Sequence, residues 1–586
     1  MMKQIRTIML AALAVLSLSA VSCSGPKDGT YTFQLFTTND VHGCYFDSVY
    51  VGNRTRNSLL AVSAYVDSVR NAVGKDKVIL VDAGDCLQGD NAAYYYNYVD
   101  TVSTHLYCRI VDYMGYDAVV VGNHDIETGH PVYDRVVRQM KTPFLAGNAI
   151  SDATGRPYFQ DHVILKRDGI KIAILGFTNP NMKNWLSYSL WSGMTFESLI
   201  PLVQEDVDKV IAKEKPQVVI VAVHSGTGEG DGGHLESQGL DLFNSLKGVD
   251  FLVCAHDHRP FVAEKDSLCL INSGSHCRNI GHGTVTLEIK DGKCISKTLS
   301  ADLIPVRKEK TDSLMKEMFM KDYQAVKAFT VQPVGELKTE LRTRDAYMGM
   351  CDYVNLIHAI SLGVPEARLS FAAPLTFNGY IRPGVLTYND LFTIYPFENQ
   401  LYVVKMSGKE IKDYLEYSYS TWVNTVKGRG DEHILQIVNE PDPRTGQKRW
   451  SFVGRSYNFD SAGGLFYDVD VTELVGQRVK IKSLADGTPF CSDSTYNVAM
   501  TSYRASGGGG IMREGAGIDT DSIDARIVAR YPEIRELVYD YLKKNGSIDA
   551  EVIGDPSLIG AWHFTPEPLA DKLMKKDMSL LFPQRK

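Results

Sequence analysis

The chain contains 586 residues, of which 44% are hydrophobic and 10% aromatic, so it can form about two to four folding units with sizeable cores. Its net charge at pH 7 is -8 and its pI is near 6.0. These values exclude a polybasic nucleic-acid binder, which would cluster Lys and Arg, and we expect no binding to nucleic-acid polymers. An acidic protein can still bind anions where bound cations supply the positive charge.

Residues 1–23 have the three regions of a secretory signal peptide. Lys3 and Arg6 precede an apolar run, 8–16, that is too short for a transmembrane helix, and small residues follow. The segment ends at Cys23 in a context that resembles a bacterial lipobox, so we expect lipidation of Cys23; an ordinary signal peptide with an incidental cysteine is the alternative. We therefore expect an exported protein, periplasmic or on the outer membrane, that reaches the membrane only through a lipid anchor.

Short apolar strands alternate with helical stretches in the next part of the chain, to which we assign the bounds 24–305. Most strands are rich in Val, Ile and Leu without clean alternation, which is typical of strands covered on both faces. The predicted strands are 31–37, 77–81, 118–121, 171–177, 217–223, 249–254 and 267–271, with helices such as 58–72 and 199–213 between them. This order predicts a layered α/β domain.

The remainder of the chain is predicted to contain a linker, a second α/β domain and a tail. Residues 306–333 are charged and rich in Met and are expected to form a linking helix. The second domain is expected over 334–560, and residues 561–586 are expected to be an appended tail. Predicted helices and strands of the second domain include 347–362, 409–418, 401–406 and 495–500.

Five predicted strands of the first domain end in side chains that can bind a divalent cation. These side chains are Asp40, His42, Asp85, Asn123, His224, His256 and His258, with His124 next to Asn123. Ligands bind at the carboxyl edge of open α/β sheets, so we expect these turns to converge. A single Asp-x-His or His-x-His would more often be a capped turn or a surface pair, but the ordered set at strand ends predicts a metal centre.

Seven oxygen and nitrogen ligands are too many for one first-row divalent ion, and none is a thiolate. They suit two divalent metal ions bridged by a carboxylate, which can clamp the attacking and leaving oxygens of a phosphoryl displacement. Such a pair also lowers the pKa of a bound water towards neutrality, which would supply a nucleophile without Ser or Cys. Zn, Mn, Fe and Co all accept these ligands, so the identity of the metals stays open.

The ordered ligand series resembles the signature of the calcineurin-like metallophosphoesterases. The second domain is similar to that of the 5'-nucleotidase family, which includes UDP-sugar hydrolases and periplasmic 2',3'-cyclic-nucleotide phosphodiesterases. The resemblance covers nearly the whole chain after the signal and departs at Ala255, where the family usually has Gly. It implies a fold with a four-layer α/β sandwich metallophosphoesterase domain, followed by an α/β nucleotidase substrate-binding domain.

The same resemblance implies roles for the polar residues. One metal would be held by Asp40, His42 and His258, and the other by Asn123, His224 and His256, with Asp85 bridging. His124 corresponds to the family's catalytic histidine, which stabilises the transferring phosphoryl group. Glu127 stands where the family usually has an Asp that orients this histidine. A cationic histidine beside two metals suits electrostatic stabilisation of developing charge.

In the family, two aromatic rings of the second domain sandwich the nucleotide base, an interaction that tolerates any base. Phe459 is best placed for this role by its spacing to the following glycines, with Tyr457 as the second choice, and Tyr503 would supply the other ring. The alternative for each aromatic is a core position. Asn378 and Arg382 lie in a segment that resembles the family's Asn-Gly-Gly-x-Ile-Arg element, whose Arg helps to hold the substrate.

Two branches of the family remain open. Gly509 replaces the Asp that contacts the ribose hydroxyls in 5'-nucleotidases, and segment 503–510 looks more like the cyclic-nucleotide phosphodiesterases, whereas 377–382 resembles 5'-nucleotidases. We predict a monomeric nucleotide phosphohydrolase: a 5'-nucleotidase, a 2',3'-cyclic-nucleotide phosphodiesterase/3'-nucleotidase, or both. The alternatives are a relative that acts on a UDP-sugar or another anionic ester, and an inactive surface binding protein.

Overall fold

The computed structural model describes residues 26–52, 54–232, 234–265, 267–428, 432–441 and 446–583. The predicted signal peptide and Cys23 lie outside these residues. Within the described part of the chain, no helix is both long enough and apolar enough to cross a membrane.

The first domain contains all seven predicted strands. Its strands, in chain order, are β1 (Gly29–Thr38), β2 (Val78–Asp82), β3 (Ala118–Val120), β4 (Phe144–Leu145), β5 (Ala149–Ser151), β6 (His162–Arg167), β7 (Ile170–Phe177), β8 (Met194–Phe196), β9 (Val218–Val223), β10 (Phe251–Cys254), β11 (Phe261–Lys265), β12 (Leu268–Asn272), β13 (Asn279–Lys290) and β14 (Lys293–Pro305). Its helices are α1 (Leu59–Val73), α2 (Asn91–Tyr94), α3 (Leu106–Met114), α4 (Asn123–Glu127), α5 (His130–Gln139), α6 (Tyr188–Trp191), α7 (Leu199–Glu214) and α8 (Gly239–Ser245).

Two six-stranded sheets face each other in this domain, in the spatial orders β14-β13-β1-β2-β3-β4 and β11-β12-β10-β9-β7-β6. Apolar side chains from both sheets, such as Phe33, Val81 and Ile220, form a fully buried core between them. Helices α1, α3 and α5 cover the outer face of the first sheet, and α7 and α8 cover that of the second. Strands β2 and β9 are buried at every position, which explains why their sequences do not alternate. The predicted four-layer α/β sandwich is therefore confirmed.

The predicted linking helix consists of two helices, α9 (Ser313–Met318) and α10 (Met320–Thr330). They do not simply span the gap between domains, because Met315, Phe319 and Val326 are buried in the outer core of the first domain. The apolar residues of this charged stretch lie on one face, and packing that face against the domain removes them from water.

The second domain is also a mixed α/β unit. Its strands are β15 (Pro333–Leu337), β16 (Leu341–Arg342), β17 (Leu369–Ala372), β18 (Tyr380–Ile381), β19 (Gly384–Thr387), β20 (Gln400–Ser407), β21 (Ile437–Pro441), β22 (Lys448–Phe452), β23 (Ser461–Gly463), β24 (Leu465–Asp470), β25 (Val479–Leu484), β26 (Thr495–Thr501), β27 (Ile527–Glu533), β28 (Ser547–Ile548) and β29 (Gly560–Thr565). Its helices are α11 (Asp352–Leu362), α12 (Tyr388–Ile394), α13 (Gly408–Ser420), α14 (Ser502–Ala505), α15 (Ile534–Asn545), α16 (Ala550–Ile553), α17 (Pro556–Ile559) and α18 (Glu567–Leu581).

The prediction of an appended tail over 561–586 is wrong for the described part of that segment. Strand β29 pairs in parallel with β24 along its whole length, inside a three-stranded sheet of the second domain. Helix α18 buries Leu573, Met574 and Leu581 in the same core as the central five-stranded sheet. The C-terminal segment is therefore part of the second domain, since it supplies both a strand and core side chains.

Candidate metal centre and active site

The predicted metal ligands converge at one edge of the first domain, just past the carboxyl ends of β1, β2, β3, β9 and β10. The turns that carry them are tight: Asp40, His42, Asp85, His256 and His258 all have φ between 47° and 73°. Left-handed backbone at non-glycine residues costs on the order of 1–3 kcal/mol each and is concentrated at functional sites. These five residues thus have unfavourable backbone conformations, which the surrounding packing enforces.

Asp40, His42 and His258 form the first of two compact groups. The Nε2 atoms of His42 and His258 lie 3.0 Å apart, and His258 Nε2 is 3.4 Å from Asp40 Oδ1. Asp40 Oδ1 is buried and has no hydrogen-bond partner in the described structure. A buried, unpartnered carboxylate oxygen is costly unless a cation or donor satisfies it, so this group fits a bound metal ion.

Asp85, His224 and His256 form the second group, with Asn123 between the two imidazoles. His224 Nε2 is 3.1 Å from Asp85 Oδ2, and Asn123 Oδ1 lies 3.0 Å from His224 Nε2 and 2.9 Å from His256 Nδ1. In each group, one ligand atom from every acid and imidazole lies within 4.8 Å of the others. The structure thus brings the seven predicted ligands together in two groups and puts Asp85 in the second of them.

The electrostatics of both groups suit metal binding, which needs ionised carboxylates and neutral imidazoles. Burial acts to raise the pKa of Asp40, but the neighbouring His258 lowers it to about 2. Burial lowers the pKa of His42 and of His256 to about 3 each, helped by an adjacent imidazole. His224 differs: burial opposes its charge, but Asp85 raises its pKa to about 9, so a cation bound there would displace a proton.

His124 and Glu127 form a pair on helix α4, which begins directly after β3. They are three residues apart and so share one face of the helix, and His124 Nδ1 lies 2.5 Å from Glu127 Oε2. The longer Glu side chain therefore reaches the histidine. The His124 ring lies 5.4 Å from that of His42, between centroids. Burial opposes the charge of His124, but Asp85 and Glu127 raise its pKa to about 10.

Several residues around the centre were not predicted. Asp125 accepts hydrogen bonds from the backbone N–H groups of residues 85, 86, 87 and 122. These bonds connect two turns, one with Asp85 and the other with Asn123. Trp185 stacks on His256 with centroids 4.9 Å apart. His276 lies 5.3 Å from His42 and 5.8 Å from His258. Its position shortly after β12, on the same sheet edge, is a signal that could have identified it.

The prediction that Phe459 stacks on the base is wrong. Its side chain is fully buried and lies parallel to Trp422 in the core, with centroids 5.5 Å apart. The 3-10 turn Ser456–Asn458 directs Phe459 inward and leaves Tyr457 partly exposed. Of the two rings that the spacing to the glycines offered in this loop, only the second choice, Tyr457, is accessible.

Tyr457 and Tyr503 lie near each other and near the first domain. Burial raises the pKa of Tyr503 to about 12, and Tyr457 and Glu236 of the first domain add to this effect. The carbonyl of Glu236 accepts hydrogen bonds from Ser225 Oγ and from the N–H of Gly226, 3.2 and 3.0 Å away. Ser225 follows the candidate ligand His224, so the segment around Glu236 contacts the turn of the second metal group, and the Glu236 carboxylate acts electrostatically on Tyr503.

One buried arginine connects the loops that carry these tyrosines. Arg504 forms a two-point ion pair with Asp460 (Nε–Oδ2 2.9 Å, Nη2–Oδ1 2.8 Å) and donates to the Tyr457 carbonyl at 2.9 Å. It also donates to the Gly508 carbonyl at 2.5 Å. A Cβ on Gly508 would overlap the Tyr503 ring, so the glycine loop lies flat against that ring.

Asn378 and Tyr457 line a cavity of about 990 Å³ in the second domain. Arg382 is exposed and does not line this cavity, so the structure does not bring it together with the other predicted substrate-binding residues. A second, smaller cavity of about 130 Å³ lies between the domains and is lined by Glu127, Glu398 and Glu533. Tyr98 of the first domain donates to Glu398 Oε2 at 3.2 Å across this boundary.

Two family models match the chain. The calcineurin-like phosphoesterase model matches residues 35–260, and the model of the 5'-nucleotidase C-terminal domain matches residues 333–514. The chain belongs to the calcineurin-like phosphoesterases that carry a 5'-nucleotidase C-terminal domain. This phosphoesterase family confirms the predicted enzyme class, a metal-dependent phosphoester hydrolase, and the predicted two-domain α/β architecture.

The proteins similar to this chain include distant relatives. The trifunctional nucleotide phosphoesterase YfkN of Bacillus subtilis is 23% identical over 91% of the chain, which spans 39% of that relative's length. The 2',3'-cyclic-nucleotide 2'-phosphodiesterase/3'-nucleotidase of Yersinia enterocolitica is 23% identical, over 86% of the chain and 84% of the relative. A crystal structure of a Staphylococcus aureus protein assigned as a 5'-nucleotidase has a TM-score of 0.75 at 20% identity, over 91% of this chain and 99% of that one.

Proposed function

We propose that this protein is a two-metal hydrolase of nucleotide phosphate esters that prefers 2',3'-cyclic and 3'-nucleotides. The observation that carries the proposal is the assembly at one sheet edge of two ligand groups and the His124–Glu127 pair. The partly exposed Tyr457 and Tyr503, which lie in loops that Arg504 joins, support recognition of a base by the second domain.

Two divalent cations fit the residues present. Asp40, His42 and His258 would hold one, and Asn123, His224 and His256 would hold the other, with Asp85 shared between them. Zn, Mn, Fe and Co all suit this set of oxygen and nitrogen donors. When bound, the pair supplies Lewis acidity at the phosphoryl oxygens and a water activated as hydroxide.

His124 would act on the substrate rather than on a metal. Asp85 and Glu127 raise the pKa of His124, which favours the protonated ring, and a protonated ring can donate a hydrogen bond to a phosphoryl oxygen as negative charge develops there. Glu127 accepts from Nδ1 and so leaves Nε2 available to the substrate. In this arrangement Glu127 is a positioning residue, because it acts through His124.

The preference for 3' and cyclic substrates is supported by Gly509. Its φ is +73°, and a Cβ at this position would lie 2.5 Å from both Arg504 Nη1 and Asn458 Oδ1. An Asp cannot be placed there without disturbing the contacts of Arg504, so position 509 offers no carboxylate to a free 2',3'-diol. Cyclic and 3'-phosphorylated nucleotides lack that diol and lose nothing from its absence. A 5'-nucleotidase activity is the second candidate, since the 377–382 segment resembles that branch.

The deciding experiment is a substrate panel with the purified mature protein loaded with Mn or Zn. Turnover of 2',3'-cyclic AMP and 3'-AMP should exceed that of AMP and UDP-glucose, and His124→Ala should abolish it. Preference for AMP would favour the 5'-nucleotidase branch, and preference for UDP-glucose would favour the sugar-nucleotide alternative. Metal-loaded protein without His124-dependent turnover of any ester would refute the enzymatic function and favour a binding protein.

We also propose that the protein is exported and anchored through a lipid on Cys23, and that it acts as a monomer. The sequence of residues 1–23 supports the first two points. A Cys23→Ser variant should move from the detergent phase to the aqueous phase on Triton X-114 partition, and light scattering measures the oligomeric state. Equal partition of both proteins would favour an ordinary signal peptide.

A further inference from the structure

The cavity of about 990 Å³ extends from the proposed base site across the second domain. Its walls come from the turn around Phe377, the hairpin strand β22 with the loop that follows it, and the end of α18, with Arg344 from a fourth segment. Phe377 lies 4.8 Å from Phe582 and 5.9 Å from Phe452, between ring centroids. Trp450 completes an aromatic lining to which the C-terminal helix contributes.

The charge of the cavity is opposite to that of the protein. Arg344, Lys448, Arg449 and Arg455 line it, and no Asp or Glu is among the lining residues that the structure describes, although the net charge of the chain is -8. Two of these cations have acidic neighbours outside the lining. Arg344 lies 3.8 Å from Asp345, and Arg449 is opposite Glu440 in the strand register of the β21–β22 hairpin. Cations that alternate with aromatic rings are the combination that binds single-stranded nucleotides, through phosphates and bases respectively.

Tyr457 lines the cavity and is joined to Tyr503 through Arg504, which donates to the Tyr457 carbonyl at 2.9 Å and lies 5.5 Å from the centroid of the Tyr503 ring. The cavity is therefore continuous with the proposed base site. Its volume is at the upper end of the range of about 300–1,000 Å³ for small-molecule sites, so it offers room beyond one nucleotide. A ligand that extends from Tyr457 towards Phe582 would pass Lys448 and Arg455 on the way.

We propose that this cavity binds the upstream nucleotides of short oligoribonucleotides whose 3' end carries the phosphate to be hydrolysed. The inference rests on the proposed function. The terminal base would stack at Tyr457 and Tyr503, the preceding phosphodiester would contact Lys448 or Arg455, and the preceding base would stack on Trp450 or Phe452. For a 3'-phosphate, a water oxygen bonds to phosphorus, the bond from phosphorus to O3' breaks, and O3' takes up a proton, giving inorganic phosphate and a 3'-hydroxyl end.

RNA cleavage is a chemical source of oligoribonucleotides with such 3' ends. Cleavage of RNA by attack of the 2'-hydroxyl leaves fragments that end in a 2',3'-cyclic phosphate or, after ring opening, in a 3'-phosphate. An enzyme with the proposed terminal specificity therefore consumes the product of a transesterifying RNA cleavage. Fragments of a few nucleotides suit the cavity, and this agrees with the expectation that long nucleic acids do not bind to an acidic protein.

The test compares the dinucleotide ApAp, which ends in a 3'-phosphate, with 3'-AMP. The metal-loaded wild-type protein should hydrolyse ApAp with a kcat/KM about 10-fold higher, because one additional stack contributes. Trp450→Ala and Lys448→Ala should each remove most of this ratio, and added NaCl should raise the KM for ApAp more than that for 3'-AMP. Lys575→Ala, an exposed position on α18 outside the lining, is the matched control and should change neither substrate.

Binding separates this inference from the proposed function. Fluorescently labelled ApAp should bind the full-length His124→Ala protein by anisotropy, and Trp450→Ala in that background should weaken the binding about 10-fold or more. If ApAp binds in this way but the metal-loaded wild-type protein turns over neither ApAp nor 3'-AMP, the cavity is supported and the proposed function is refuted. Equal kcat/KM for ApAp and 3'-AMP, with no change of their ratio in Trp450→Ala, would overturn the inference and leave the proposed function in place.

Discussion

Arg504 offers the sharpest test of how the substrate site is built. Replacing it by Met removes the guanidinium that joins Asp460, Tyr457 and Gly508 and leaves the Asp460 carboxylate buried without its cation. Loss of one partner from a buried ion pair costs about 3–5 kcal/mol. The Tyr414 hydroxyl still donates to Asp460, so we expect the lower end of this range, about 3 kcal/mol.

This loss should appear in both stability and substrate binding. At about 2–4 °C per kcal/mol for a domain of this size, the Tm of the second domain should fall by roughly 6–12 °C in calorimetry. The KM for 3'-AMP should rise about 10-fold, since the loops of Tyr457 and Tyr503 lose their common anchor and a base stack is worth about 1–3 kcal/mol. Turnover of p-nitrophenyl phosphate, which has no base or ribose, should be much less affected.

A double-mutant cycle provides the control. Asp460→Asn with Arg504→Met removes both charges, so the pair should be less destabilising than the sum of the two single changes. If Arg504→Met lowers the Tm by less than 2 °C and leaves the KM for 3'-AMP unchanged, then the ion pair does not hold the two loops and the reasoning fails.

Four further changes test other parts of the protein. Glu127→Gln removes one of the three carboxylates, Asp85, Glu127 and Glu398, that raise the pKa of His124 to about 10 against the effect of burial. The alkaline limb of the kcat–pH profile should therefore move to lower pH, and an unmoved limb would mean that His124 does not carry the proton. Tyr503→Ala should raise the KM for every nucleotide about 10-fold with little change in Tm. Phe459 is buried, so Phe459→Ala should lower the free energy of unfolding in urea titrations by about 3–5 kcal/mol. The reverse pattern would exchange the roles of the two residues. Truncation after Ile559 removes β29 and α18 and should give a second domain without cooperative unfolding; a normal calorimetric transition would contradict the packing of α18.

The metal ligands could be predicted from the sequence because their signal is local. Each sits in a short polar motif immediately after an apolar run, and the rule that parallel strands present their carboxyl ends at one edge brings distant motifs together. Asp40 and His258 illustrate this: they are separated by more than two hundred residues, yet their side chains lie 3.4 Å apart. The alternative interpretations of these motifs, as capped turns or surface pairs, do not explain why all five turns converge.

The substrate site was less predictable because its geometry depends on packing. Tyr457 and Phe459 lie two residues apart in one loop, and only the turn between them decides which ring is buried. The sequence carries a comparable aromatic signal at both positions, and the decision is made by Trp422, which stacks on Phe459 from a different part of the chain. The role of the C-terminal segment was hidden for the same reason, since β29 finds its partner β24 about ninety residues earlier.

Contacts between the domains connect recognition with chemistry. Glu398 of the second domain lines the small cavity that also contains Glu127, and it accepts a hydrogen bond from Tyr98 of the first domain. Burial and the nearby Glu533 raise the pKa of Glu398 to about 8, so this group is mainly protonated at neutral pH and adds little negative charge behind the His124–Glu127 pair. Any relative movement of the domains that exposes Glu398 to water would let it ionise. We therefore expect the position of the second domain to affect the charge around His124 and, in the proposed function, the binding of the base at Tyr457 and Tyr503.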